Sequence, residues 1–83
     1  MSQPIPGKNY RHKTFMFHPS LNGGWFCKKG RAEVFLSVGS NGYFCRYVYS
    51  VSNLNSFWGE GKDRNPEKAI LKAYNDFLDN LRK

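Results

Sequence analysis

Lys8, Arg11, Lys13, Lys28, Lys29 and Arg31 all precede the first acid of the chain, Glu33, and they are interleaved with Tyr10, Phe15, Phe17, Trp25 and Phe26. Cationic side chains neutralise phosphates and aromatic rings offer faces for bases, so a stretch mixing the two with no carboxylate has the chemistry of a nucleic-acid contact. The formal net charge is +7, and the six cations of residues 1–31 supply nearly all of it. From residue 32 onward Arg46, Lys62, Arg64, Lys68, Lys72, Arg82 and Lys83 face Glu33, Glu60, Asp63, Glu67, Asp76 and Asp79 and almost cancel. A field this lopsided attracts a polyanion or an acidic protein surface.

Other chemistries are poorly supplied. A ribonuclease would use His12 as general base with Arg11 or Lys13 on the phosphate. Neither histidine has a carboxylate paired with it in sequence, however, and a basic arm holds geometry badly. The expectation is a protein that is not an enzyme. His12, His18, Cys27 and Cys45 are zinc-ligand types, but the cysteines lie 18 positions apart and no C-x₂-C pair exists, so neither a metal nor another cofactor is expected. Gly59 and Gly61 do not form a phosphate loop, because no Lys followed by Ser or Thr opens the helix after them. Two cysteines are too few for a secreted disulfide scaffold. They read as buried thiols, which neighbouring strands would bring close, in a cytoplasmic protein. Apolar runs stop at three residues or so, against roughly 20 for a membrane span, and no membrane partner is expected.

The elements that hold these residues follow from period and punctuation. Eighty-three residues make one domain, and a 17% aromatic content lets so short a chain build a core. Residues 1–13, with Pro4, Pro6, Gly7 and no apolar period, read as a flexible basic arm, and 14–83 as a single small domain. Phe15 and Phe17, then Trp25 to Cys27, make a hairpin across the turn at Pro19 to Gly24, and Lys28 to Arg31 form a basic bend. Ala32, Val34, Leu36 and Val38 alternate as a half-buried strand. Asn41-Gly42 suits a type I′ turn that returns Tyr43 to Val51. On that strand an unpaired Arg46 is costly to bury, which turns Phe44 and Arg46 outward and the tyrosines inward. Phe57 and Trp58 begin a last short strand. Asn65 as N-cap, Pro66 at the first helical position, and the stripe Ile70, Ala73, Tyr74, Phe77, Leu78 and Leu81 predict a helix to the C-terminus, with Arg82 and Lys83 complementing its dipole. Its opposite face, with a Lys72–Asp76 pair at i,i+4, reads as solvated. The expected fold is α+β: an antiparallel sheet of three to five strands with one C-terminal amphipathic helix on one face.

Three strands, Gly59-Glu60-Gly61 and a capped helix beginning Glu67-Lys68-Ala69 resemble the C-terminal part of a double-stranded-RNA-binding domain. That resemblance implies phosphate contacts from Lys62, Arg64, Lys68 and Lys72. The chain departs from the pattern in having no N-terminal helix, a longer spacer with Asn65 and Pro66, and Asp63 and Glu67 among the lysines. The run from Glu67 to Asp76 also looks like the helix of plant AP2-type domains, which read DNA with a three-stranded sheet.

The expected function is therefore a small basic protein that binds duplex RNA or DNA mainly through phosphates. Lys28, Lys29 and Arg31 on the bend lead the contacts, Lys8, Arg11 and Lys13 reach from the arm, and Phe44 and Arg46 add to them from the open sheet face. The alternative is an accessory or inhibitor of the phage or mobile-element type that docks on an acidic host protein or in a nucleic-acid-binding groove.

Overall fold

The computed structural model describes residues 3–21 and 23–82. Six strands form one antiparallel meander in the order β1-β2-β3-β4-β5-β6, followed by a single helix. They are β1 (Tyr10–His12), β2 (Phe15–Pro19), β3 (Trp25–Lys29), β4 (Ala32–Gly39), β5 (Gly42–Ser50), β6 (Ser56–Asp63) and α1 (Pro66–Leu81). The α+β class and the C-terminal helix are as expected, but the strand count exceeds three to five. The additional strand is β1, which lies inside the stretch expected to be an arm. Its polar sequence Tyr-Arg-His carries no apolar period, and it is held by pairing, Tyr10 opposite Phe17 and His12 opposite Phe15.

The inner face of the sheet follows the period of two. Trp25 and Cys27, Ala32, Val34 and Leu36, and Cys45 and Tyr47 are buried in register beneath Ala69, Ile70, Ala73 and Phe77 of α1. Tyr47 stacks on Phe77 with ring centroids 4.8 Å apart, so aromatic area stands in for a larger aliphatic core. The sheet curls. β2 pairs with β3 only at His18 and Pro19, while Phe15 and Phe17 turn with β1 toward α1, bringing His12 within 3.7 Å of Glu67. Trp25 Nε1 donates to the Lys8 carbonyl at 3.0 Å and fastens the N-terminal segment to the same end.

Gly59 and Gly61 let α1 lie directly on β6. A Cβ on Gly59 would meet the backbone of Ala73 and Phe77, and one on Gly61 that of Ala69 and Ala73. Asn65 caps the helix, its Oδ1 accepting from the backbone N–H of Glu67 at 2.8 Å and of Lys68 at 3.3 Å. At the other end Arg82 is the C-cap, and no base stands in the last turn among the described residues. Lys83, expected to complement the dipole with it, lies outside the described residues.

Two local expectations are corrected. The β4–β5 loop consists of Ser40 and Asn41, closed by Gly39 opposite Gly42, in place of a type I′ turn at Asn41-Gly42. Gly42 carries the positive φ, +126°, and a side chain there would run into the Asp63 carbonyl and Arg64. Lys72 and Asp76 do not pair with each other. Lys72 Nζ meets Asp63 at 2.9 Å and the Lys62 carbonyl at 3.2 Å, while Asp76 accepts from the Glu60 N–H at 2.9 Å. Asn80 Nδ2 donates to the Trp58 carbonyl. The helix face expected to be solvated thus runs along the outer edge of β6 and bonds one backbone group each of Trp58, Glu60 and Lys62.

Candidate nucleic-acid interface

Because the inner positions of β3 to β6 are filled by core residues and α1, the odd set of side chains on the same strands is left facing away from the helix. These are Phe26 and Lys28, Glu33, Phe35 and Ser37, Phe44, Arg46 and Val48, and Trp58, Glu60 and Lys62. No described element covers that face. Phe35 is 42% and Trp58 47% exposed, and Phe26 and Phe44 are half-buried. The register places Phe26, Phe35, Arg46 and Glu60 in one row across four strands. Phe26 and Phe35 pack with centroids 5.1 Å apart. A groove of about 590 Å³ opens beside them, lined among others by His18, Phe26, Phe35, Ser37, Phe44 and Arg46.

Each aromatic toward β6 has a cation beside it. The Arg46 guanidinium lies 5.2 Å from the Trp58 ring and is held by Glu60, whose Oε2 accepts from Nε at 3.0 Å and from Nη2 at 2.7 Å. Lys62 Nζ stands 5.8 Å from the Phe44 ring. Such pairs fix the cation over a π-face while leaving N–H donors directed to solvent. Arg46 and Phe44 do face outward, but the guanidinium is paired, across a strand neighbour, with Glu60.

The basic bend is divided by strand geometry. Lys28 and Lys29 belong to β3, so they point to opposite faces, and the turn itself is only Gly30 (φ +62°) and Arg31. Lys28 is exposed on the outer face opposite Glu33. Lys29 lies on the helix side with its Nζ 5.5 Å from the Phe15 ring, and Arg31 Nη1 donates to the Val51 carbonyl at 2.6 Å. Of the N-terminal cations, Arg11 shares the outward direction by its pairing with Met16. Lys13 borders a second opening of about 460 Å³ with His12, Lys29 and Tyr74 on the helix side, and Lys8 is exposed. Arg64 and Lys68 are exposed where β6 runs into α1, with Lys62 around the edge from them. The cations thus do not converge on one bend; Lys28, Arg46 and Lys62 share the outer face with aromatics, while Lys29 lies beside Phe15 on the helix side.

Trp58, Phe26 and His18 were absent from the sequence-derived site. The signal for Trp58 was present: two glycines at alternate positions, Gly59 and Gly61, mark the side of β6 that must approach a backbone, which puts Trp58 on the other.

The titratable groups of the interior are shifted by burial. Burial pushes the Cys45 thiol up to about 12 and also raises Cys27. The two are free thiols on β3 and β5 with β4 between them, so the strands that carry them are not neighbours. Burial likewise raises Tyr10, whose hydroxyl is enclosed without a hydrogen-bond partner, and Tyr47. Asp63 is lowered by the Asn65 backbone N–H and by Lys72. Glu67 is the carboxylate that the fold brings to His12. Among the described residues no group of three His, Cys, Asp or Glu side chains is placed to hold a metal, and no helix is long and apolar enough to cross a membrane.

Fold and surface together define an open-faced antiparallel meander backed by one helix, with a mixed aromatic and basic outer face. No protein-family model, curated protein or solved structure matches the chain.

Proposed function

We propose that this is a small non-enzymatic nucleic-acid-binding protein whose contact surface is the outer face of β3 to β6. The observation that carries the reading is the adjacency of Phe26, Phe35, Phe44 and Trp58 to Lys28, Arg46 and Lys62 on a face that no described element covers. A large exposed apolar surface is costly to a monomer and marks a contact site. The surplus of +7 selects an anionic partner. Arg11, exposed and paired opposite Met16, extends the positive side toward β1, so a phosphate backbone crossing the sheet meets a cation beyond the aromatic rows.

A titration of labelled DNA and RNA by anisotropy at two salt concentrations tests it. Binding in the micromolar range at low salt is expected, with log K falling by about one unit per log unit of salt for each phosphate neutralised. Absence of binding to any strand at 100 µM, roughly the weak limit of non-specific affinity, overturns the proposal. The accessory or inhibitor reading would then be favoured by capture of a single acidic protein from a nuclease-treated lysate.

A further inference from the structure

We infer that the outer sheet face takes unpaired bases, making single-stranded nucleic acid and not the duplex the ligand of this protein; this rests on the nucleic-acid reading above. Width is the first argument. Strands lie about 4.8 Å apart, so β3 to β6 span roughly 14 Å before side chains are added. A duplex major groove, about 12 Å wide, admits one helix or a two-stranded ribbon, and the minor groove is about half as wide. Neither insertable element lies on the outer face of β3 to β6. The apolar stripe of α1 is buried on the sheet, and the β3–β4 hairpin is not an isolated ribbon, because β4 pairs with β5 from Ala32 opposite Tyr49 to Gly39 opposite Gly42. The Arg31 carbonyl accepts from the Ser50 N–H at 3.1 Å, which ties even the hairpin tip to its neighbour. Four strands abreast are wider than the groove, so a duplex reaches this face mainly with its phosphates and leaves most of the aromatics without partners.

A single strand uses them all. Phe26 and Phe35 form one platform, and Trp58 with the Arg46 guanidinium forms another in the adjoining row. Phe44, on the diagonal from Phe35, carries Lys62 beside its ring. Stacking surfaces thus alternate with cations across the sheet, and the groove of about 590 Å³ between Phe26, Phe35, Phe44 and Arg46 receives a base turned out of line with its neighbours. Ser37 and His18 on its walls offer hydrogen-bonding groups to a base edge. Such platforms accept any base, since every base has a π-face.

The experiment compares four 12-nucleotide ligands on the intact protein at one low salt concentration: a thymidine DNA strand, a uridine RNA strand, a hairpin-free duplex, and an abasic strand with the same phosphates. Trp58 fluorescence is followed alongside anisotropy; because Trp25 is 2% exposed, a quench on binding reports the outer face. The base-bearing strands should bind at least ten-fold more tightly than the duplex and quench Trp58. Phe35→Ala and Phe44→Ala, each tested against the thymidine strand, should bind roughly five- to 150-fold more weakly, the range of one lost stacking contact, and the abasic strand, which loses every stack, should bind more weakly still. Circular dichroism establishes that the variants are folded, and two variants guard against one that is not. Equal affinity for abasic and base-bearing strands, or tighter binding of the duplex with Trp58 unchanged, overturns the single-strand inference while leaving nucleic-acid binding intact. Equal binding of poly-L-glutamate shows a surface that reads charge alone and overturns both, as does binding to none of the ligands.

Discussion

Replacing Gly59 by alanine tests the arrangement that leaves the outer face open, because it places one methyl group between α1 and β6. The added Cβ would stand 2.5 Å from the Ala73 carbonyl oxygen and 2.7 Å from Phe77 Cα. Ordinary carbon contacts are about 3.5–4.0 Å, so the helix has to retreat by about 1 Å, and the obstructing atoms are backbone that cannot rotate aside. A radial gap of that size forfeits a quarter to a half of each dispersion contact along the Ala69, Ala73 and Phe77 seam. Overpacking costs about 1–3 kcal/mol, and this site belongs at the upper end. At about 0.05–0.15 kcal/mol per residue, a chain of this length has roughly 4–12 kcal/mol in total, so about 3 kcal/mol is a large share. With about 4–8 °C of melting temperature per kcal/mol for a domain this small, the fall should be roughly 12–24 °C by circular dichroism. Gly39→Ala is the control, since nothing lies within 4 Å of a Cβ there, and should melt within about 3 °C of the parent. If Gly59→Ala melts with the control, α1 does not lie against β6 as described, and the assignment of the outer face fails with it.

Four further outcomes are expected. Phe77→Ala, which removes a ring packed on Tyr47 and Tyr49, should cost about 3–5 kcal/mol in urea denaturation and abolish binding only by unfolding. Tyr10→Phe deletes an enclosed hydroxyl with no hydrogen-bond partner and should raise stability by about 1 kcal/mol; a loss of stability would reveal a partner for that hydroxyl. Cys45, raised by burial from 9.0 to about 12, contributes stability that is complete below pH 9 and lost as pH rises toward 12, by about 1.4 kcal/mol per pH unit, so Cys45→Ala should show a shallower alkaline decline in urea melts at pH 8 to 10.5, and parallel curves would refute the assignment. Lys28→Ala with Lys62→Ala should reduce the salt slope of binding to a single strand by about 1.4 while Arg64→Ala with Lys68→Ala leaves it within about half a unit; the reverse pattern would move the interface to the helix.

The elements with a regular apolar period were legible in the sequence. Ala32-Val34-Leu36 specifies one face of β4, the alternating Tyr43, Cys45, Tyr47 and Tyr49 specify β5, and Asn65-Pro66 fixes the start of α1 to the residue. Strand β1 was not legible, since Tyr-Arg-His has neither alternation nor a turn signal and is ordered by its partner Phe15–Phe17, a tertiary effect. The candidate site was half legible for the same reason. Arg46 and Phe44 were placed outward by the cost of burying a charge, which is a local argument. The grouping of Lys28, Lys29 and Arg31 relied on nearness in sequence, and in a strand adjacent residues point to opposite faces. The pairing of Arg46 with Glu60 and Trp58 depends on the β5–β6 register, which a one-residue slip would have inverted.

The row Lys72, Asp76 and Asn80 beside β6 bears on how copies of the protein share one polymer. A six-stranded meander ends in two edges, and an edge with free N–H and C=O groups is a template for another chain. Here one outward backbone group each of Trp58, Glu60 and Lys62 on the β6 edge is taken by those three side chains, which also stand beside that edge, and the β1 edge is only three residues long. On the proposed single-stranded ligand, neighbouring copies would therefore have little free edge with which to extend one another's sheets. Occupancy should rise as for independent sites, with a Hill coefficient near one, and the number of copies bound should track strand length divided by footprint. The helix that builds the core would in this sense also keep each molecule a separate unit on the proposed ligand.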